Sequence, residues 1–151
     1  ERAVMAEVLV VVQPVPGKVI PLSQVADPVF AEEMLGPGLA VEPTGNTVVA
    51  PASGVLTIMY PTGHALVITA DSGAQLMVHI GIDTVKMKGD GFAVLAEQGQ
   101  RVVAGQPLVT FDPEKVAAAG HMATTMVVVM NDPTAQLIFE PGGAPEVAEP
   151  L

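Results

Sequence analysis

Apolar residues along this chain fall in short β-prone runs cut by glycine and proline, not in long stripes of helical spacing. Val4–Val12 is a near-continuous apolar run and is expected to form a buried strand. Pro14-Val15-Pro16-Gly17 turns the chain, and Lys18-Val19-Ile20 begins another strand. Val48-Val49-Ala50-Pro51 and Gly54–Tyr60 read as strands around a turn, Gly99–Val109 as strand–turn–strand, and Met126–Met130 as a late buried strand. Two places read as helix. In Pro28–Leu35 the apolar residues Phe30, Met34 and Leu35 have roughly helical spacing, Asp27 can cap the N-terminus with proline at the first helical position, and Gly36 is a stop. Asp112-Pro113 opens one or two helical turns that end at Gly120. Pro14-x-x-Gly17-x-Val19 is echoed by Pro51-x-x-Gly54-x-Leu56, which suggests a duplicated β motif. The pattern predicts an all-β fold, an antiparallel sandwich or barrel with one or two short helices. The β domain is placed at residues 1–140. From Pro141 the composition turns to Pro, Gly, Ala and Glu, so 141–151 reads as a tail or linker.

Composition narrows this further. At 151 residues the chain is one domain with room for a real core, and with 50% hydrophobic but only 3% aromatic residues that core must be aliphatic. Sixteen Asp and Glu against 6 Lys and Arg give a net charge of -10. Such a surface repels phosphate backbones, which argues against nucleic acid as a partner, and suits a basic protein. With no cysteine, disulfides and zinc–thiolate sites are excluded, and a reducing cytoplasm is compatible. No apolar run reaches membrane-spanning length and the start lacks a signal-peptide layout, so membrane insertion is not expected. The chain does not begin with Met, as expected of a piece cut from a longer protein.

The candidate chemistry lies in the histidines. His79 ends a β-prone run, Gln75–Ile80, that breaks at Gly81. His64 lies in the run before it, and Asp71-Ser72-Gly73 between the two runs is a strong turn signal. If Ala70–Gly73 form the loop of a hairpin, His64 stands directly opposite His79, with Cβ atoms about 4.5–5.5 Å apart. A register shifted by two residues leaves them diagonal neighbours on one face, and only a shift by one separates them. Two imidazoles side by side suit histidine chemistry better than packing. The third histidine, His121, follows Gly120 in a polar turn and has no such partner.

These residues carry a family likeness. The strings Asp27-Pro28-Val29-Phe30-Ala31-Glu32, Pro43-Thr44-Gly45-Asn46, Val49-Ala50-Pro51, Thr62-Gly63-His64-Ala65 and Asp71-Ser72-Gly73 occur in order. They are followed by Val78-His79-Ile80-Gly81-Ile82-Asp83-Thr84-Val85 and Gly89-Asp90-Gly91-Phe92. With them the chain resembles the glucose-type enzyme IIA of the bacterial phosphoenolpyruvate:sugar phosphotransferase system, from about Gln13 to Asp132. The resemblance implies a cytoplasmic phosphotransferase component with a phosphohistidine intermediate and no cofactor or metal. His79 would take a phosphoryl group from the histidine-containing phosphocarrier protein and hand it to an enzyme IIB domain for sugar uptake and phosphorylation. His64 would donate a hydrogen bond to the phosphoryl oxygens, and Thr62 would hold His64. Partner proteins would dock on an apolar face of Val29, Phe30, Met34, Leu35, Met77 and Val85, with Asp27 and Asp83 on its rim. Metabolic enzymes or transporters would be regulatory partners. On the resemblance Phe30 is expected to be partly exposed. Two departures stand out. The family usually has a bulky aromatic or aliphatic residue where Met77 stands, and methionine keeps the patch apolar but softer. Family domains also end in a further strand, and this chain stops about where that strand would begin, so the strand is expected to be missing, cut away or replaced.

Two other functions share parts of the pattern. His79-x-Gly81-x-Asp83 has the ligand spacing of a zinc endopeptidase family on a related β scaffold, but that family needs a later His-x-His, and Ala123 stands where the second histidine after His121 should be. A biotinyl or lipoyl carrier shares the Pro-x-x-Gly-x-Val string, and Val85-Lys86-Met87-Lys88 resembles a modified-lysine site. Such domains are about half this length, however, and Lys86 precedes Gly89 instead of occupying a hairpin tip.

Overall fold

The structure, a computed structural model, describes residues 8–140. The expected strand residues 4–7, and the tail from Pro141 with its missing or replaced last strand, lie outside the described residues. The strands are β1 (Val8–Val12), β2 (Gly17–Pro21), β3 (Gly38–Pro43), β4 (Thr47–Val49), β5 (Gly54–Met59) and β6 (Ala65–Ala70). They continue with β7 (Gln75–Ile80), β8 (Phe92–Val94), β9 (Arg101–Val102), β10 (Pro107–Phe111), β11 (Thr125–Val129) and β12 (Gln136–Glu140). Helix α1 is Pro28–Ala31 and α2 is Pro113–Ala118, with 3-10 turns at Leu22–Gln24 and Thr84–Met87. No helix among the described residues is long and apolar enough to cross a membrane.

The expected all-β fold is present. A seven-stranded sheet runs β2-β3-β11-β7-β6-β5-β9, a three-stranded one β4-β10-β8, and β1 pairs with β12. All pairs are antiparallel except β1–β12, which is parallel. The internal echo has a structural counterpart. Val49 N–H donates to the Pro14 carbonyl and Val12 N–H to the Pro51 carbonyl, each at 2.8 Å, so the two proline turns brace one another. Gly17 and Gly54 then open equivalent strands. A Cβ would lie 2.2 Å from the Glu42 carbonyl oxygen at the first and 2.1 Å from that of Thr69 at the second, so neither position can carry a side chain.

β11 buries both its faces, and alternation sorts the residues of the central strands between two clusters. From β11, Val127 and Val129 join the main core, with Leu56, Leu66, Ile68, Leu76, Val78, Leu108 and Phe111. Met126 and Val128 point the other way, into a smaller cluster of Ile20, Leu22, Val25, Phe30 and Ala40. In β7, Leu76, Val78 and Ile80 face the main core. Met77, which packs on the smaller cluster, and His79 alternate with them.

Three expectations need correction here. Phe30 is only 4% exposed, a core residue of the smaller cluster. α1 folds over the outer face of the β3–β11–β7 region, and its largest apolar side chain is what covers that face. The helix is also shorter than expected. Glu33, with φ 57, takes the left-handed conformation that ends it, three residues before Gly36. The first strand is not a buried one. Val11 is buried but Val10 is 61% exposed, because the two-stranded β1–β12 sheet sets only one face on the main core. The Asp27 cap and the Asp112-Pro113 helix are as expected. Val29 N–H donates to the Asp27 carboxylate at 3.0 Å, the Asp112 carboxylate accepts from Glu114 and Lys115 N–H, and Gly120 follows with φ 84.

Candidate functional site

The hairpin that carries both histidines adopts the register that was expected to separate them. Ala65, not His64, stands opposite His79. The cause is one residue of loop length. Gly73 N–H donates to the Ala70 carbonyl, closing a turn, and Gly73 itself has φ 97, so Asp71-Ser72-Gly73 form a three-residue loop with Ala70 and Ala74 as its base. The imidazoles nevertheless meet, with ring centroids 5.3 Å apart at 80°. Strict alternation holds only inside a strand, and His64 lies one residue outside β6, directly after Gly63 at φ 79. The residue actually opposite His79, Ala65, is small and leaves room for the neighbouring ring.

His79 is held by the backbone that follows it. Its Nδ1 is 2.9 Å from the Gly81 carbonyl oxygen. A carbonyl only accepts, so Nδ1 carries the proton and, in the neutral ring, Nε2 holds the free lone pair. Gly81 has φ 85, and a Cβ there would be 2.3 Å from the Thr84 methyl. Glycine is therefore required on two grounds. The loop is pinned at further points: Gly81 and Ile82 N–H donate to the Thr124 and Met122 carbonyls at 2.9 Å, and the buried Thr84 hydroxyl donates to the Ile80 carbonyl.

His64 is 5% exposed, and the Thr62 hydroxyl lies 2.6 Å from its Nδ1. With Thr62 donating, the proton of neutral His64 is on Nε2. Two further aromatic rings complete a row of four. Phe30 packs 5.2 Å from His79 on one side, and Tyr60 packs 5.1 Å from His64 on the other. Both imidazoles titrate below the ordinary 6.5. For His79 the main cause is burial, opposed by the Gly81 bond and by the charges of Asp27 and Asp83. For His64 it is burial, then the neighbouring His79 charge.

Of the other expected site residues, Asp27 and Asp83 lie close enough to act on the His79 charge, and Met77 packs on the cluster that holds Phe30. Val29, Met34, Leu35 and Val85 are exposed, Met34 the most at 67%. Met77 and Asp27 are half-buried, and Asp83 is exposed with φ 63 at the head of the 3-10 turn. Only Phe30 leaves the surface. It lies beneath His79 as packing, not beside it as a contact for partners. Among the described residues no group of three His, Cys, Asp or Glu side chains is placed to hold a metal ion. Tyr60 and the Gly81 carbonyl were absent from the sequence-based site. Gly81 carried a signal in the break of the β-prone run directly after His79. Tyr60 carried none, because its contact arises from a turn and not from a spacing.

The fold and site together make a mostly antiparallel β domain that brings one backbone-oriented imidazole against a second. The chain belongs to the family described as phosphoenolpyruvate-dependent sugar phosphotransferase system, EIIA 1, whose pattern matches residues 9–135. It is 49% identical over 125 residues to the PTS system mannose-specific EIIBCA component of Corynebacterium glutamicum, covering 83% of this chain and 18% of that protein. It is 44% identical over 128 residues to the β-glucoside-specific EIIBCA component of Bacillus subtilis, covering 85% of this chain and 21% of that one. The chain thus spans about a fifth of the length of these relatives. The solved glucose permease IIA from Mycoplasma capricolum superposes with a TM-score of 0.78 at 41% identity, over 81% of this chain and 79% of that one.

Proposed function

We propose that this domain is a phosphocarrier that works in the cytoplasm, accepting a phosphoryl group on Nε2 of His79 from the histidine-containing phosphocarrier protein and passing it to an EIIB domain. The observation that carries the reading is the Nδ1–Gly81 hydrogen bond, which leaves the Nε2 lone pair free beside the His64 ring. In the accepting step that lone pair forms the N–P bond while the donor's N–P bond breaks and its electron pair returns to the donor imidazole. No proton need move, because the His79 proton is already on Nδ1. His64 presents Nε2–H toward the transferring group, and Thr62 holds that tautomer. Catalysis is then positioning and charge stabilisation in a water-poor setting. Val29, Met34, Leu35, Met77 and Val85 form the apolar docking surface, with Asp27 and Asp83 as its acidic rim. The names EIIBCA of the relatives support an EIIB domain as acceptor.

The test is incubation with phosphoenolpyruvate, enzyme I and the phosphocarrier protein. One phosphoryl group should appear, labile in acid and stable in base, with its nitrogen signature at Nε2 of His79. Phosphate taken up by His79→Ala, or mapped to a serine or threonine, overturns the reading.

A further inference from the structure

We propose that Tyr60 is a positioning residue for this transfer: its ring holds the plane of the His64 imidazole toward His79 and closes the solvent side of that imidazole. The inference rests on the phosphocarrier reading above. Tyr60 ends the row of four rings, 5.1 Å from His64 at 62°. At the other end Phe30 is core, whereas Tyr60 is 38% exposed, with one side on His64 and the other toward solvent. His64 lies at the margin of the sheet, outside any strand, and yet is almost fully covered.

The Thr62 hydroxyl anchors one point of the imidazole, its Nδ1. A single hydrogen bond leaves the ring free to rock about that point. An edge contact from a second ring restricts the rocking, since tilted aromatic pairs have a preferred geometry. The position of Tyr60 is set by main chain and not by its ring. Its N–H donates to the Ala65 carbonyl at 3.1 Å, and its carbonyl accepts from Gly63 N–H at 2.8 Å. These bonds close the turn that also carries Thr62 and His64, so removing the ring leaves the turn's own hydrogen bonds in place. Among the described hydrogen bonds none involves the Tyr60 hydroxyl, which assigns the role to the ring.

The experiment compares Tyr60→Ala, Tyr60→Phe and Tyr60→Leu, each alone and combined with His64→Gln. Two quantities are read: the rate of onward transfer to the EIIB domain, and the titration of His64 by nitrogen-15 NMR. An aromatic pair is worth about 2- to 13-fold in an equilibrium, so Tyr60→Ala should slow onward transfer by about 3- to 10-fold. Tyr60→Phe should recover most of that loss. In the His64→Gln background Tyr60→Ala should add less than about 2-fold, because the imidazole it acts through is gone. The His64 titration should rise toward the ordinary imidazole value as water reaches the ring. The same fold loss in the His64→Gln background makes Tyr60 a direct partner contact and overturns the proposal, as does an unmoved His64 titration. Should Tyr60→Ala fail to fold by circular dichroism, Tyr60→Leu keeps bulk without a π face and is read by the same criteria. The two levels fail separately. A parent protein that takes no phosphate sinks the phosphocarrier reading, while normal phosphate transfer by Tyr60→Ala sinks only the role of Tyr60.

Discussion

Truncating Phe30 tests the least expected feature of the site, that the apolar ring packed on His79 belongs to the core. The Phe30 ring is 4% exposed among Ile20, Leu22, Val25, Ala40, Met126 and Val128, and it also packs against His79. Replacing a buried Phe by Ala costs about 3–5 kcal/mol, the spread reflecting how far the surroundings collapse into the gap. This cluster is small, and Ile20 and Val25 at its margin retain 6% exposure, so partial collapse is open to it and the lower end, about 3 kcal/mol, is expected. In a domain of this size 1 kcal/mol moves the melting temperature by about 3 °C, giving a fall of about 10 °C for Phe30→Ala. Thermal and urea melts, with the urea slope unchanged, are the assay. Phosphate uptake measured well below the transition should also slow, since the His79 ring loses the surface it packs on. Phe30→Asp should be worse in stability, because an unpaired carboxylate in a dry cluster is costly to desolvate. A loss under about 1 kcal/mol for Phe30→Ala would show that the ring is peripheral and that α1 does not seal the sheet.

Two more outcomes follow from the electrostatics. Folded His79 and His64 titrate below 6.5, so between that value and their lowered ones the unfolded chain binds more protons; stability should be complete above about pH 6.5 and decline as pH falls below it. Melting temperature against pH checks this, and the decline should flatten in the His64→Gln/His79→Gln double variant; a wild-type profile flat down to about pH 5 refutes it. Asp83→Asn should leave folding intact, since asparagine tolerates the left-handed backbone at φ 63, and under the phosphocarrier reading it should slow association with the phosphocarrier protein mainly at low salt. The defect should fade above about 0.15 M ionic strength, where the Debye length is about 8 Å. A salt-independent defect assigns Asp83 a contact role instead.

What the sequence conveyed well was local. Glycine and proline punctuation located most strands, and Asp27-Pro28 and Asp112-Pro113 located both helix starts, because a cap and its proline act within one turn of chain. What it conveyed poorly depended on distant partners. β12 was not expected at all: Gln136-Leu-Ile-Phe-Glu140 alternates weakly, and its partner β1 lies at the other end of the chain. The apolar spacing of Phe30, Met34 and Leu35 marked a helical stripe without saying which residues face the sheet, and Phe30 goes in while Met34 and Leu35 stay out. The hairpin register turned on a single left-handed glycine, a difference below the reach of periodicity. The neighbouring of His64 and His79 was reached from a register the protein does not use. The family strings placed both residues at the site independently of that register.

The site's chemistry turns on what bonds His79 Nδ1. A carboxylate there would fix the same tautomer, but its charge would favour the imidazolium and so remove the lone pair a phosphoryl acceptor needs. The neutral Gly81 carbonyl fixes the tautomer with less bias toward the cation, and burial then outweighs that bias together with the charges of Asp27 and Asp83. Under the phosphocarrier reading the same balance serves departure. A cation held permanently against the phosphoryl oxygens would stabilise the loaded state and slow onward transfer. A neutral His64 donating one N–H, with Thr62 on its other nitrogen, supplies hydrogen bonding without that trap. Both lowered titrations depend on burial, and each imidazole has a ring packed on it, Phe30 on His79 and Tyr60 on His64. Removing either ring should therefore shift the balance toward the imidazolium on its own side, Phe30 at the acceptor and Tyr60 at the donor of the hydrogen bond. That assigns the two ring substitutions different defects: slower phosphate uptake for the first, slower onward transfer for the second.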